Sequence, residues 1–240
     1  MVYLHNIIRV RDPLEICETN WTNILSIVNN IQILIQMRVQ AFIVGVLATN
    51  CYIVNCRETG NAVIIDPGFD SVAEATQIFR YVEEEKLKIK FVLNTHGHSD
   101  HIGGNEVLRK KYGVPVCIHE LDAHEIDSLN QETSTQTVLL RDADLVEFKD
   151  AKLRVIHTPG HTPGSICLLG EKLVFTGDTL FAGGIGRTDF LGGSSRDLKL
   201  SLEKLLRLPE SLIVYPGHGP ETIIAEEKQD NPFLVGLSHT

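Results

Sequence analysis

Apolar and polar positions alternate along the chain in a pattern that predicts short strands broken by helices from Arg38 onward. The strand-like runs are RVQAFIVGV, NCYIVNC, AVIIDPG, FVLNTH, VPVCIH, LRVIHTPGH, SICLLG, KLVFTGD and LIVYPGHGP. The segments with helical spacing are Ser71–Lys88, Asn105–Tyr112, Leu198–Leu208 and Glu221–Lys228. Residues 129–143 are polar and predict a surface loop.

Several of these strands share one arrangement, in which an apolar run is followed at once by a loop that carries histidine or aspartate. Open α/β sheets place their active sites beyond the carboxyl ends of their strands. The pattern therefore predicts a functional site at that end of the strands.

The first 36 residues differ from the rest because they are rich in Ile and Asn and poor in Gly. They lack the early positive charge, the continuous apolar core and the cleavage site of a signal peptide. Met37 opens a clean strand pattern, so we expect an N-terminal extension over 1–36 and a compact domain over 37–240. A run of about 18 apolar residues is absent, and no transmembrane helix is predicted.

The composition is that of an ordinary globular protein, with 43% hydrophobic and 22% charged residues. The net charge of −9 argues against nonspecific binding to nucleic acid. The five cysteines form no C-x-x-C motif, which favours reduced thiols in the cytoplasm over a disulfide framework. Cys51 and Cys56 are expected on opposite faces of one strand.

The strongest chemical signal is the sequence HGHSDH, which places four possible metal ligands within six residues. Further candidates follow strands in TPGH, TGD and PGH, and the full set is His96, His98, Asp100, His101, His161, Asp178 and His218. Imidazole and carboxylate suit zinc, iron or manganese, whereas a structural zinc site would offer thiolates. Seven ligands exceed the needs of one tetrahedral ion and fit two ions that share a carboxylate.

The motifs THGHSDHIGG, TPGHTPGS, TGDTLF and YPGHGPET resemble, in order and spacing, the successive motifs of the metallo-β-lactamase superfamily. Within it, GDTLF followed by GRTDF and the closing NPFL resemble glyoxalase II-like hydrolases. The resemblance implies an α/β fold, a four-layer αβ/βα sandwich of two mixed β-sheets flanked by helices. It also makes 37–240 a catalytic domain with metals at one edge between the sheets.

The resemblance also implies roles for individual residues. One metal ion is assigned to His96, His98 and His161, and a second to Asp100, His101 and His218, with Asp178 bridging. Asp66 in IDPG matches a position that supports the ligands from behind. Two divalent ions are expected, with zinc first and iron or manganese as alternatives.

The implied activity is hydrolysis of a small-molecule thioester of the hydroxyacylglutathione type. A hydroxide held between the two ions would attack the acyl carbon, and Asp100 would orient it and accept its proton. A thiolate leaving group, with a pKa of about 8.5, needs little protonation, whereas a lactam nitrogen needs an acid. We expect a cytoplasmic enzyme without nucleic-acid or membrane partners, and the sequence leaves its oligomeric state open.

Two departures from the glyoxalase II pattern bear on the substrate. Only 22 residues follow His218, so we expect no C-terminal helical domain of the kind that binds glutathione. The identity of the thiol in the native substrate is therefore left open. The loop after GDT reads GIGRTD, in which Arg187 either holds a substrate carboxylate or pairs with Asp189.

Alternative functions remain at this point. The GRTDF stretch also resembles persulfide dioxygenases, in which one iron would be held by His96, His161 and Asp178. The sequence motif HSDHIGG is closer to that of the glyoxalase II-like hydrolases. Hydrolysis of another ester or lactone, and a non-catalytic member that keeps its metal, are further alternatives.

Overall fold

The structure, a computed structural model, describes residues 37–127, 137–149 and 151–235. The predicted extension over 1–36 lies outside the described residues. Two six-stranded sheets and one two-stranded hairpin make up the strands of this part of the chain.

The first sheet has its strands in sequence order. They are β1 (Met37–Val44), β2 (Thr49–Cys56), β3 (Asn61–Ile65), β4 (Lys88–Leu93), β5 (Val116–His119) and β6 (Thr137–Leu140). The first two pairings are antiparallel and the last three are parallel, so this sheet is mixed. Its helices are α1 (Thr76–Glu84), α2 (Ser99–Ile102), α3 (Asn105–Tyr112) and α4 (Ala123–Asp127).

The strands of the second sheet are β7 (Leu145–Phe148), β8 (Ala151–His157), β9 (Ile166–Leu169), β10 (Leu173–Gly177), β13 (Ile213–Pro216) and β14 (Thr222–Ile223). They lie in the order β14-β13-β10-β9-β8-β7, and β10 pairs with β13 in parallel. The hairpin consists of β11 (Leu180–Phe181) and β12 (Gly184–Ile185). The helices are α5 (Ser195–Leu205) and α6 (Ile224–Asp230).

The side chains of β2 show how the layers pack, because all eight residues of this strand are buried. Cys51 and Ile53 belong to the cluster beneath α1 and α3, whereas Val54 and Cys56 belong to the cluster between the two sheets. A third cluster packs α5 against the outer face of the second sheet. The order helix, sheet, sheet, helix confirms the predicted four-layer sandwich and the predicted opposite faces of Cys51 and Cys56.

Some predicted elements differ in extent from those in the structure. The predicted loop over 129–143 is wrong for Thr137–Leu140, which forms β6 by pairing in parallel with β5. Residues 129–136 of that prediction lie outside the described residues. The helix predicted over Ser71–Lys88 is limited to Thr76–Glu84, since Lys86 has a φ of 53° and ends it. Among the described residues, no helix has the length and apolar character needed to cross a membrane.

Candidate metal centre

The histidine-rich segment, His96–His101, begins just beyond the end of the buried strand β4. The single turn of α2 follows His98 and carries Asp100 and His101. The side chain of Asn94 donates a hydrogen bond of 3.1 Å to the carbonyl oxygen of His101, which fixes this turn. Gly68 lies against it, and a Cβ at that position would overlap the carbonyl oxygen of Asp100.

Three imidazoles from two loops meet in what we call the first trio, His96, His98 and His161. The first two lie in the histidine-rich segment, and His161 lies in the loop after β8. Nδ1 of His98 lies 3.1 Å from Nε2 of His96 and 2.9 Å from Nε2 of His161. The three nitrogens therefore point at one small volume.

A second trio, Asp100, His101 and His218, lies beside the first. Nε2 of His101 is 3.5 Å from Asp100 Oδ2 and 3.3 Å from Nε2 of His218. Nε2 of His218 is in turn 3.3 Å from Asp100 Oδ2. His218 follows β13, so this trio joins a loop of the first sheet to a loop of the second.

Asp178 contacts both trios from its position after β10. Its Oδ1 lies 3.4 Å from Nε2 of His101 in the second trio, and its Oδ2 lies 3.5 Å from Nε2 of His161 in the first. Oδ2 is also 3.6 Å from Nε2 of His218. The structure thus gathers all seven predicted ligands in one cluster.

Hydrogen bonds on the outer side of the rings show which nitrogens face the centre without a proton. Nδ1 of His161 is 2.8 Å from the carbonyl oxygen of Arg187, which can only accept, so Nδ1 carries the proton. The hydroxyl of Thr95 donates its one proton to Asp66. Its Oγ1 also lies 3.2 Å from Nδ1 of His96, so this Nδ1 carries a proton and donates it to Oγ1. The Nε2 lone pairs of both rings are left for a cation.

The spacing of the ligand atoms in the second trio fits metal binding, whereas the nitrogens of the first trio lie closer together, at 2.9 and 3.1 Å. Tetrahedral coordination with bonds of about 2.0–2.1 Å separates ligand atoms by about 3.3–3.4 Å. The separations of 3.3–3.5 Å in the second trio match that value. Asp178 Oδ1 is buried and has no hydrogen-bond partner within the described part of the chain, as expected of an oxygen that binds a cation. The cluster fits a dinuclear site that shares Asp178.

Asp66 contacts one predicted ligand and a residue that positions another, and it is not itself a predicted ligand. Its backbone has a φ of 49°, and its side chain is buried. Its carboxylate accepts hydrogen bonds from the backbone N–H and the hydroxyl of Thr95, at 2.8 and 2.7 Å. Oδ2 also lies 3.0 Å from Nδ1 of His101, on the side of the ring opposite the Nε2 that faces Asp100 and Asp178. Asp66 therefore orients His101 and, through Thr95, the neighbouring His96.

Burial and neighbouring charges set the protonation of the cluster. Burial alone would lower the pKa of His101, but the carboxylates of Asp66 and Asp178 outweigh it and raise this pKa to about 10. Burial and the adjacent imidazoles hold the pKa of His96 well below its usual range. The pKa of Asp178 is lowered in spite of burial, mainly by His101. His96 is therefore neutral and Asp178 ionised at neutral pH, the forms that bind metal, whereas His101 would release a proton when a cation binds.

Sequence reasoning missed two residues that hold the ligands. Thr49 Oγ1 donates a hydrogen bond of 3.2 Å to Asp100 Oδ2. Asp122, which is 2% exposed, accepts three hydrogen bonds from the loops that carry the first trio. Neither residue lies in a recognisable motif, and no signal in the sequence alone distinguishes Asp122 from a surface carboxylate.

The loop after β12 forms a wall of the site. Arg187 pairs with Asp189 through two hydrogen bonds of 3.0 and 2.8 Å, and its guanidinium lies 4.4 Å from the ring centre of Phe190. The Phe190 ring is 5.5 Å from the ring of His98. On the other side, the Phe181 ring is 6.2 Å from that of His218. The structure thus shows the pairing with Asp189, while a contact of Arg187 with substrate stays a prediction.

The family model for the Metallo-beta-lactamase superfamily matches residues 44–218. The chain belongs to the metallo-beta-lactamase superfamily. The matched span begins in the last residue of β1 and ends at His218, so it contains the whole cluster.

Some curated relatives of this superfamily member have functional names. The hydroxyacylglutathione hydrolase GloC of Haemophilus influenzae is 36% identical over 217 residues, which cover 84% of this chain and 100% of that one. The probable metallo-hydrolase YqgX of Bacillus subtilis is 37% identical over 209 residues, covering 81% of this chain and 96% of that one.

Solved structures of the superfamily superpose well on the described fold. ETHE1 from Myxococcus xanthus has a TM-score of 0.72 and 34% identity, and covers 83% of this chain and 85% of its own. The B3 metallo-beta-lactamase BLEG-1 has a TM-score of 0.72 and 33% identity, and the match covers 83% of this chain and 100% of that one. TTHA1623 in a di-iron-bound form has a TM-score of 0.71 and 31% identity, and the match covers 81% of this chain and 100% of that one.

Proposed function

We propose that this protein is a metal-dependent hydrolase of a small-molecule thioester, of the hydroxyacylglutathione hydrolase type. The observation that carries the proposal is the arrangement of seven ligands in two trios joined by Asp178. The likeness to GloC, a hydroxyacylglutathione hydrolase 36% identical to this chain, supports the choice of a thioester. Zinc is the proposed metal, and iron is the first alternative because one structural neighbour holds two iron ions.

Two bound divalent cations would supply Lewis acidity for the acyl carbonyl and a hydroxide nucleophile near neutral pH. The chain itself contributes the groups that surround them. Asp100 is the proposed catalytic residue, because Thr49 and His218 hold its Oδ2 at 3.2 and 3.3 Å. A carboxylate fixed in this way can orient the nucleophile and accept its proton.

The surroundings of the two trios fit a thioester. The rings of Phe181 and Phe190 stand at opposite ends of the centre and give an acyl group apolar contacts. A thiolate leaves without a proton, so the reaction needs no further acid. Arg187 is the proposed contact for a substrate carboxylate, because an exposed ion pair such as that with Asp189 is weak and easily exchanged.

The proposed setting is the cytoplasm, without nucleic-acid or membrane partners. The four cysteines in the described part of the chain are buried and free, which supports a reducing compartment.

A second candidate is an iron-dependent persulfide dioxygenase. The GRTDF stretch, which resembles persulfide dioxygenases, favours it, and His96, His161 and Asp178 would hold the iron. The ligand identities alone do not separate the two functions, and the sequence HSDHIGG, which is closer to the hydrolases, favours hydrolysis.

Metal analysis of the purified protein, followed by two assays, tests the proposal. We expect about two divalent cations per chain, hydrolysis within a panel of thioesters that includes hydroxyacylglutathiones, and no oxygen uptake with glutathione persulfide. A single tightly bound iron together with oxygen consumption would replace the proposal by the dioxygenase. Turnover of esters or lactones with inert thioesters would keep the hydrolase and reject the thioester.

A further inference from the structure

Asp122 lies between β5 and α4 and is almost completely buried, with 2% of its surface exposed. Its Oδ2 accepts hydrogen bonds from the backbone N–H of Gly97 at 2.9 Å and from Thr162 Oγ1 at 2.7 Å. Its Oδ1 accepts a hydrogen bond of 2.7 Å from the backbone N–H of Gly164. A buried carboxylate with three donors is held in one position.

The three donors lie on the two loops that carry the first trio. Gly97 stands between two ligands of that trio, and Thr162 directly follows the third, His161. The histidine-rich segment belongs to the first sheet and His161 to the second, so Asp122 ties together loops of different sheets. The second trio has other supports, since Thr49 contacts Asp100 and Asp66 contacts His101.

Glycine at two of the donor positions allows this close approach. A Cβ at Gly164 would overlap the carboxylate of Asp122, and a Cβ at Gly97 would lie 3.2 Å from the Cβ of Asp122 and 2.8 Å from Cγ of Glu125. The glycine of TPGS is thus explained by the carboxylate of Asp122, and that of HGH by the side chains of Glu125 and Asp122 together.

We propose that Asp122 is a positioning residue for the first trio and sets the affinity of that site for its cation, independently of the second site. The inference rests on the metal ligands proposed above. Removing a partner that orients metal ligands lowers metal affinity by about 10–100-fold in other proteins. We expect a loss of that size at the first site alone.

The test uses the variant D122N, whose amide keeps the shape but turns one acceptor into a donor that faces an N–H or hydroxyl group. T162V is a second, milder variant, because it removes one donor and keeps the volume. The matched control is D144N, since Asp144 is also buried and accepts a backbone N–H, that of Arg141 at 2.8 Å, in a turn outside the cluster. H98A and H218A provide reference samples for loss of the first and second sites.

Zinc affinity is measured by competition with a chromophoric chelator, and the ligand field by the visible spectrum of the cobalt-substituted protein. D122N should lose about 10–100-fold in affinity at one site, and its cobalt spectrum should approach that of H98A. T162V should shift in the same direction by a smaller factor, and D144N should keep the wild-type affinities.

A folded D122N protein with wild-type affinities would overturn the inference, as would an equal loss at both sites or a spectrum like that of H218A. If D122N does not fold, T162V decides in the same way. A wild-type protein that binds one cation would contradict the dinuclear proposal, and the effect of D122N would then be measured on that cation.

Discussion

Asp178 contacts both trios, with one oxygen 3.4 Å from His101 and the other 3.5 Å from His161. Its negative charge offsets the repulsion between two cations that would lie about 3.5–4 Å apart. Gly217 allows this approach, because a Cβ there would overlap Asp178 Oδ1. A dinuclear site at this cluster would therefore depend on this one carboxylate.

The substitution D178A should lower both the metal content and the rate, the latter by about 100-fold or more, because the two cations lose their shared ligand. Metal content per chain and thioester turnover are measured on the same sample. D230A, at an exposed aspartate at the end of α6, is the control and should match the wild type. Normal stoichiometry and rate in D178A would contradict the bridging role.

His98 separates the two candidate functions. In a dinuclear hydrolase, H98A removes one ligand of the first trio and should reduce turnover by about 100-fold or more together with the loss of one cation. In a dioxygenase with iron on His96, His161 and Asp178, the same change should leave the iron bound. Metal analysis and turnover distinguish the two results, and H124A, at a histidine that is 72% exposed, controls for loss of an imidazole.

The ligands were accessible to sequence analysis because four of them stand within six residues and the other three follow strands. The residues that hold these ligands in place could not be identified from the sequence. Asp122 acts through backbone N–H groups of Gly97 and Gly164, and contacts of that kind leave no pattern of residue types. The alternative roles of Arg187 could be compared only once the loop placed Asp189 beside it.

At the scale of elements, α6 holds the hairpin of β11 and β12 in place. Glu227, which is 4% exposed, accepts hydrogen bonds from the backbone N–H of Gly183 at 3.0 Å and from Asn231 Nδ2 at 2.7 Å. Asn231 Nδ2 also donates to the carbonyl oxygen of Gly184. The chain then runs from this hairpin to Arg187, whose carbonyl oxygen orients His161. A terminal helix thus supports the metal centre from a distance.

The substitution E227Q should destabilise the protein by about 1–3 kcal/mol, because a neutral amide replaces a buried carboxylate whose charge-assisted hydrogen bonds to Gly183, Thr222 and Asn231 are stronger. Denaturant unfolding measures the loss, and E171Q, at an exposed turn, is the control. We also expect turnover to fall, since the hairpin loses an anchor. Unchanged unfolding in E227Q would show that the network is dispensable.

The long elements were predictable and the short ones were not. Buried strands such as β3 and β4 stand out as apolar runs. β6 has four residues within a segment rich in Thr and Gln, and it forms because β5 offers a parallel partner. The two-residue strands β11 and β12 and the single turn of α2 are too short for any periodicity.

At the scale of the whole molecule, the site joins the two sheets. The first sheet supplies the histidine-rich segment after β4, and the second supplies the ligands after β8, β10 and β13. A further contact between the sheets is the stack of His119, at the end of β5, on His157, at the end of β8. Their ring centres are 4.2 Å apart and their planes are inclined by 8°.

This stack makes stability depend on pH. Burial, followed by the neighbouring His157, lowers the pKa of His119 below its ordinary value of about 6.5. As the pH falls below about 6.5, the unfolded chain therefore binds a proton that the folded protein resists, and the free energy of unfolding decreases, by at most about 1.4 kcal/mol per pH unit. Above that pH, both states are neutral at this position and the effect vanishes.

The substitution H119Q should consequently flatten the fall in the free energy of unfolding between about pH 7 and pH 5.5, a window that follows from the lowered pKa of His119. Denaturant titrations of wild type and H119Q at each pH give the difference, in which protonation of the metal ligands cancels because both proteins share it. H124Q removes an exposed imidazole and tests whether any histidine would do the same. If the two curves ran parallel over this range, His119 would not be a source of acid lability, and the stack between the sheets would be indifferent to pH.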